Sequence, residues 1–198
     1  MSSIIIASKN PGKIAEFEIL LKEYDIEIKS LLDFDDLEDI EETGKTFYDN
    51  AKLKAEIIGN KFNCPVIADD SGLIIDALDG RPGIFSARYA GEPCDDIANN
   101  NKVLEEMIDV TDENREARYV AVLAFYRPNK ELIFREGVCE GEITYGPRGK
   151  RGFGYDPIFM PKGYTKTMAE LKSFEKNFIS HRAKALHQFK KWLKENGL

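Results

Sequence analysis

Short apolar segments alternate with helical segments in the first half of the chain, and this alternation limits the possible folds more than any other feature. Residues 4–7 show an apolar strand pattern, and a polar turn follows them. Apolar residues then recur at helical spacing: Ile14, Phe17, Leu20, Leu21 and Tyr24. A second helix, with Thr43 or Thr46 as its cap, is indicated by Phe47, Ala51, Ala55, Ile58 and Phe62.

From residue 65 onward the chain contains more strand patterns than helical ones. Residues 65–68 predict a buried strand that ends at the polar segment 69–72. A helix is predicted over 95–108, and the last helix has Leu186, Phe189 and Leu193 on its apolar face. Further strands are predicted at 119–126, 131–138 and 139–145. Early alternation and late hairpin-like strands predict a mixed β-sheet flanked by helices, so the fold class is α/β.

The length of the chain favours a single domain. It has 198 residues, of which 42% are hydrophobic, enough for one substantial core, so we expect one domain over 1–198. No apolar run approaches the roughly 20 residues that a membrane span needs, and the first residues lack the pattern of a signal peptide. We therefore expect a cytoplasmic protein. Cys64, Cys94 and Cys139 show no CxxC spacing, which argues against disulfides and zinc.

The charge of the chain restricts its partners. The formal net charge is -7 and the sequence pI is about 5.1, so a nucleic-acid polymer is not an expected partner. A small anionic ligand remains compatible with this charge, because it needs only local cations, a helix N-terminus or a divalent metal. The acidic balance fits a magnesium-dependent site.

The segment 8–13 combines a hydroxyl, an amide and two lysines at the start of a predicted helix. Its residues are Ser8, Lys9, Asn10, Pro11, Gly12 and Lys13. A helix N-terminus has unsatisfied N–H donors and a positive dipole end, which disfavours the cation of Lys13 unless an anion binds there. The segment therefore predicts a phosphate-binding turn. The alternative is a simple Asn or Ser cap with solvated lysines.

Carboxylates cluster in two further segments. Asp69, Asp70 and Ser71 follow the predicted strand, and one aspartate is expected to face a ligand cleft while the other holds the turn. Glu41 and Glu42 precede a helix and supply oxygen ligands of the kind that Mg²⁺ prefers. For these glutamates the alternative is a favourable interaction with the helix dipole.

The segment 152–157 joins two glycines, two aromatic residues and a carboxylate, which is typical of a site for a flat ligand such as a nucleotide base. An ordinary turn is the alternative.

Polar and cationic residues gather at the start of the last helix: Lys176, Ser180, His181 and Arg182. Arg182 can make forked contacts to phosphate or base oxygens. Patterns of acyl transfer and zinc hydrolysis are absent, so the residues favour phosphoryl-group chemistry.

Several short blocks, in order along the chain, carry a family resemblance. They are SKNPGK at 8–13, ETGKTF at 42–47, ADDSGL at 68–73, SARYAG at 86–91, GFGYDPIF at 152–159 and SHRAKAL at 180–186. Together the blocks resemble the inosine triphosphate pyrophosphatase family, whose members remove non-standard purine nucleoside triphosphates. The resemblance covers nearly the whole chain.

The resemblance implies a role for each matching residue. Nucleotide contacts are implied for Ser8, Lys9, Asn10, Pro11, Gly12, Lys13 and Ser71. Binding and selection of the base are implied for Phe153, Gly154, Tyr155, Asp156, Lys176, His181 and Arg182. Asp70 is implied as general base and magnesium ligand, and Glu42 as a second metal ligand. The family also implies a long mixed sheet with two lobes and a central cleft, a homodimer, and hydrolysis of ITP, dITP or XTP to the monophosphate and pyrophosphate.

Two other functions stay open at this point. One is a nucleotide pyrophosphatase for modified pyrimidine triphosphates with the same phosphate and metal chemistry. The other is a non-catalytic nucleotide sensor. Asp70 argues against a sensor, because a carboxylate beside a triphosphate is repulsive unless a metal or a reaction needs it.

Overall fold

The structure is a computed structural model that describes residues 2–22, 24, 26–34, 37 and 40–197, with the backbone alone for Ser2 and Leu20. The chain divides into two compact units. Unit 1 comprises Met1–Asp70, Ala121–Gly137 and Arg182–Leu198, and unit 2 comprises Ser71–Val120 and Val138–His181. The single domain over 1–198 stays a prediction.

Six strands and five α-helices are present in the described residues. The strands are β1 (Ser2–Ile6), β2 (Ile26–Ser30), β3 (Val66–Ile75), β4 (Glu116–Tyr126), β5 (Ile133–Ile143) and β6 (Phe159–Pro161). The helices are α1 (Pro11–Leu21), α2 (Phe47–Phe62), α3 (Asp96–Glu106), α4 (Ser173–Ile179) and α5 (His181–Asn196). No helix in the described part of the chain has both the length and the apolar character needed to cross a bilayer.

The strands form one sheet in the order β2-β1-β3-β4-β5-β6. Strand β1 pairs in parallel with β2 and β3, whereas β5 and β6 are antiparallel. A sheet with both kinds of pairing is mixed, so the predicted α/β class with a mixed sheet and flanking helices is confirmed.

Two predictions about the strands were wrong. The polar segment 69–72 does not end a strand, because β3 continues through it to Ile75. The two late strands predicted at 131–138 and 139–145 are one strand, β5. In the first case, the segment 69–72 has the polar composition that is typical of a turn. The carboxylates of Asp69 and Asp70 have cationic partners, described below, and these partners make burial inside a strand tolerable.

Side chains within the chain explain where the first helices begin and end. Asn10 caps α1 by accepting a hydrogen bond from the backbone N–H of Lys13, at 3.1 Å. Thr46, and not Thr43, caps α2 by accepting from the N–H of Asp49, also at 3.1 Å. Asn63 ends α2 in the left-handed conformation, with φ of 47°.

Each unit has its own hydrophobic core. In unit 1, side chains of β1, α1, β3, β4 and α5 pack together, and the buried residues are Ile4, Ile6, Phe17, Leu21, Ile67, Leu123, Phe125, Ala185, Leu186, Phe189 and Leu193. In unit 2 the buried residues include Leu73, Ile75, Val103, Met107, Tyr119, Ile143, Tyr155, Ile158, Phe159, Met168 and Leu171. The predicted apolar faces of α1 and α5 are therefore core faces, although the side chain of Leu20 lies outside the described residues.

Candidate active site

Asp69 lies at the centre of a buried group of charges in unit 1. Its Oδ1 and Oδ2 accept from Nε and Nη2 of Arg182, both at 3.2 Å, and its Oδ2 lies 2.6 Å from Nζ of Lys13. A further N–H of Arg182 donates to Glu16. Burial disfavours the charged carboxylate, but the attraction of Arg182 and Lys13 holds the pKa of Asp69 well below its usual range. Asp69 is therefore ionised. Contrary to the expectation from the sequence, it does not hold a turn, because it lies within β3.

Lys54 connects the second aspartate to a glutamate. Its ammonium group donates to Oε1 of Glu42 at 2.7 Å, to Oδ1 of Asp70 at 2.9 Å and to the backbone oxygen of Asp69 at 2.8 Å. An ammonium has three N–H groups, so these three acceptors use its whole donor capacity. Lys54 thus holds the Glu42 and Asp70 carboxylates at fixed positions near one another.

Asp70 has one carboxylate oxygen available for chemistry. The residue is only 5% exposed, and its Oδ2 is buried with no hydrogen-bond donor among the described residues. The pKa of Asp70 is raised to about 6. Burial and the negative charge of Glu42 raise this pKa, and together they outweigh the positive charges of Lys54 and Lys13, which lower it. A carboxylate with such a pKa is charged at neutral pH and still able to take up a proton.

The predicted phosphate-binding turn takes a defined shape before α1. The Ser8 hydroxyl accepts from the backbone N–H of Asn10 at 3.1 Å, and Pro11 occupies the first helical position. Lys9 donates to the backbone oxygen of Leu37 at 2.7 Å. The Asn cap is confirmed, but Lys13 is not a solvated lysine, since it pairs with Asp69 and its side chain is 17% exposed.

A separate group in unit 2 surrounds Phe153. Asp156 is buried and its Oδ2 accepts from the backbone N–H of Phe153 at 3.1 Å and from Nζ of Lys176 at 2.6 Å. The Lys176 ammonium lies 4.8 Å from the centre of the Phe153 ring. Gly152 has φ of 77°, and a Cβ there would collide with Oδ2 of Asp156, so only glycine fits. Asp156 thus shapes the aromatic loop 152–156 and holds Lys176 beside the ring of Phe153.

The structure places the other predicted base-binding residues within unit 2 with one exception. His181 is buried and stacks on Tyr119, with 4.6 Å between ring centres. The buried hydroxyl of Tyr155 donates to the backbone oxygen of Ser86 at 2.7 Å. Ser71, predicted to contact the nucleotide but not its base, also belongs to unit 2 and lies half-buried in β3. Arg182 is the exception, because it belongs to unit 1 and binds the carboxylates of Asp69 and Glu16.

Sequence reasoning missed Lys54. A signal for it exists, because α2 buries the positions of Ala51, Ala55 and Ile58, and Lys54 lies on the same face. A lysine on a buried helical face needs an acidic partner. The pattern alone does not say which carboxylate that partner is.

Comparison with known proteins identifies the family of the chain. The family model described as the Ham1 family matches residues 4–192. The chain belongs to the Ham1 family. The resemblance seen in the sequence blocks is thereby confirmed, since relatives of this Ham1 protein are named dITP/XTP pyrophosphatase.

Relatives of this Ham1 family member match it over almost their full length. A protein of Oceanobacillus iheyensis named dITP/XTP pyrophosphatase is 58% identical, with 98% of each chain covered. One of Halalkalibacterium halodurans with the same name is also 58% identical and covers 98% of this chain and 100% of its own. The solved structure of a Ham1 protein from Coxiella burnetii has a TM-score of 0.90 at 44% identity, covering 98% of this chain and 100% of its own.

Proposed function

We propose that this protein hydrolyses non-standard purine nucleoside triphosphates (ITP, dITP and XTP) to the monophosphate and pyrophosphate, and so cleanses the nucleotide pool. The observation that carries the proposal is the buried Oδ2 of Asp70, which has no hydrogen-bond donor among the described residues. This aspartate lies in a chain that is 58% identical to a protein named dITP/XTP pyrophosphatase. A buried acceptor that costs stability without a partner is typical of a catalytic position.

The residues fit a magnesium ion. Mg²⁺ is held in many enzymes by one or two carboxylates together with substrate phosphates, and Asp70 and Glu42 are two carboxylates fixed by the same lysine. Within the described residues no group of three His, Cys, Asp or Glu side chains converges, so substrate and water would complete the coordination. Mg²⁺ would lower the pKa of an attacking water and neutralise phosphate charge.

The mechanism assigns one proton transfer to Asp70. A water attacks the α-phosphorus, Oδ2 of Asp70 accepts its proton, the α–β bridging bond breaks and pyrophosphate leaves. Lys54 keeps Asp70 oriented through Oδ1, which leaves Oδ2 for the proton. Phosphate contacts are proposed for the segment 8–13 and for Ser71, with Lys13 and Lys9 stabilising negative charge that develops on the leaving group.

Base recognition is proposed for the group around Phe153. Its ring can stack on any base, so discrimination has to come from hydrogen bonds, and donors such as Lys176, His181 or loop N–H groups favour a 6-keto oxygen over the 6-amino group of adenine. Gly154, Tyr155 and Asp156 shape the loop. The predicted base contact of Arg182 stays a prediction, since in this structure its guanidinium binds Asp69 and Glu16.

A substrate panel tests the proposed function. We expect kcat/KM for ITP, dITP and XTP to exceed that for ATP at least about 100-fold, because a site built to bond a keto group rejects an analogue that leaves its donor unsatisfied. The panel includes GTP, which should also be a poor substrate, and modified pyrimidine triphosphates. ATP or a pyrimidine triphosphate as the best substrate would refute the proposal, and binding without turnover would identify a nucleotide sensor instead.

The products distinguish the proposed reaction from stepwise phosphate removal. In water labelled with oxygen-18 we expect one labelled oxygen in the monophosphate and none in pyrophosphate, because attack occurs at the α-phosphorus. Mass spectrometry of both products measures this. Label in the pyrophosphate, or release of single phosphates, would contradict the mechanism. A chelator should abolish turnover and added Mg²⁺ should restore it.

Two further properties belong to the proposal. We assign the enzyme to the cytoplasm, where its nucleotide substrates are made and used. We also propose a homodimer, as the family resemblance implies, which sedimentation or light scattering of the purified protein can test.

A further inference from the structure

Two residues of α3 bind the backbone of the aromatic loop 152–156 in unit 2. Oδ2 of Asp96 accepts from the N–H of Gly154 at 2.7 Å, and Nδ2 of Asn100 donates to the backbone oxygen of Gly154 at 2.9 Å. Both main-chain polar groups of one glycine are therefore bonded to side chains of the same helix, one turn apart. None of the functional assignments made above includes α3.

Asp96 is not needed for capping, which makes its contact with the loop notable. The adjacent Asp95 is the cap of α3 and accepts from the N–H groups of Ile97 and Ala98, at 2.8 and 3.1 Å. The carboxylate of Asp96 is thus available to accept from Gly154. Its negative charge at the helix N-terminus is favoured by the dipole, and a charged acceptor strengthens the hydrogen bond.

Asn100 fits its position only as an amide donor. Its Nδ2 also donates to the backbone oxygen of Asp96, at 2.6 Å, so two carbonyl oxygens face this nitrogen. The side chain is buried, with 7% exposure. A carboxylate at this position would bring negative charge against both oxygens, so the position requires a donor.

The loop needs such external contacts because glycine does not hold a conformation by itself. Gly152 and Gly154 have φ of 77° and 62°, a region that glycine tolerates but does not favour over its other conformations. Asp156 fixes the N–H of Phe153 from inside the loop, and α3 fixes the next residue from outside. Phe153 is thereby anchored at its own N–H and at the residue that follows it.

We propose that Asp96 and Asn100 are positioning residues that hold Gly154 and so keep the Phe153 ring ready to stack on the base. This inference rests on the proposed function for its consequence in base binding. It predicts that α3 controls substrate affinity and base preference without taking part in the proton transfer at Asp70.

Hydrogen exchange tests whether α3 holds the loop, independently of any activity. In Asp96→Ala the amide of Gly154 loses its acceptor, so a peptide covering 152–156 should exchange at least about 10-fold faster than in the unaltered protein. Glu105→Ala is the matched control, because it removes an exposed carboxylate from the same helix without removing its cap or touching Gly154. Unchanged exchange in Asp96→Ala, or equal acceleration in Glu105→Ala, would overturn the proposal.

Kinetics test the consequence for the base. Asp96→Ala should raise KM for ITP about 10-fold and reduce the preference for ITP over ATP, with kcat within about 2-fold. Asp96→Asn keeps an acceptor oxygen and should restore most of the affinity. Faster exchange with unchanged KM and base preference would refute the positioning role. If the unaltered protein does not hydrolyse ITP, the proposed function fails, while the exchange experiment still decides whether α3 holds the loop.

Discussion

Replacing Asp70 by asparagine is expected to reduce kcat at least about 100-fold, because an amide oxygen is a very weak proton acceptor. The side chain keeps its shape, and Oδ1 can still accept from Lys54. Steady-state kinetics with ITP and Mg²⁺ measure the loss. Asp76→Asn is the matched control, since Asp76 immediately follows β3 and pairs with Arg118 at the surface. Near-normal turnover in Asp70→Asn would show that another residue is the general base.

The stability of the same variant separates a catalytic loss from a folding defect. The folded protein raises the pKa of Asp70 from 3.8 to about 6, so wild-type stability falls as pH rises through this interval. Asparagine cannot lose a proton and avoids that cost. In metal-free buffer, Asp70→Asn should therefore melt at a higher temperature than wild type at pH 7, and the difference should shrink towards pH 4. A lower melting temperature at pH 7 would show that the carboxylate stabilises the fold.

Replacing Asp69 by asparagine should instead destabilise the protein strongly. Asp69 is 1% exposed and forms both contacts of a forked pair with Arg182, which is also 1% exposed. Removing one partner of a buried ion pair leaves an uncompensated charge and costs about 3–5 kcal/mol. Urea unfolding of Asp69→Asn measures this loss. The same substitution at the exposed Asp76 breaks its pair with Arg118 and should cost less than about 1 kcal/mol.

The pH dependence of the Asp69 contribution has a definite sign. The pKa of Asp69 lies below its ordinary value of 3.8 in the folded state, so its stabilising effect is present above that value and decreases as pH falls below it. The stability difference between wild type and Asp69→Asn should consequently narrow in acid. A gap that stays constant from pH 7 to pH 3 would show that the loss comes from packing and not from charge.

The sequence by itself determined the α/β class and the helices α1, α2, α3 and α5. Periodic apolar residues and local caps such as Asn10 and Thr46 act over a few positions, so they can be recognised without the fold. The ordered blocks were enough to identify the family.

Only the tertiary structure decided how the two adjacent aspartates differ. Arg182, 113 positions away in sequence, binds Asp69, whereas Lys54 on α2 binds Asp70 and Glu42. The segment 69–72 also has the composition of a turn, although β3 passes through it. Partners brought together by folding set the burial, charge and pKa of each carboxylate, and no local pattern specifies which distant cation reaches which oxygen.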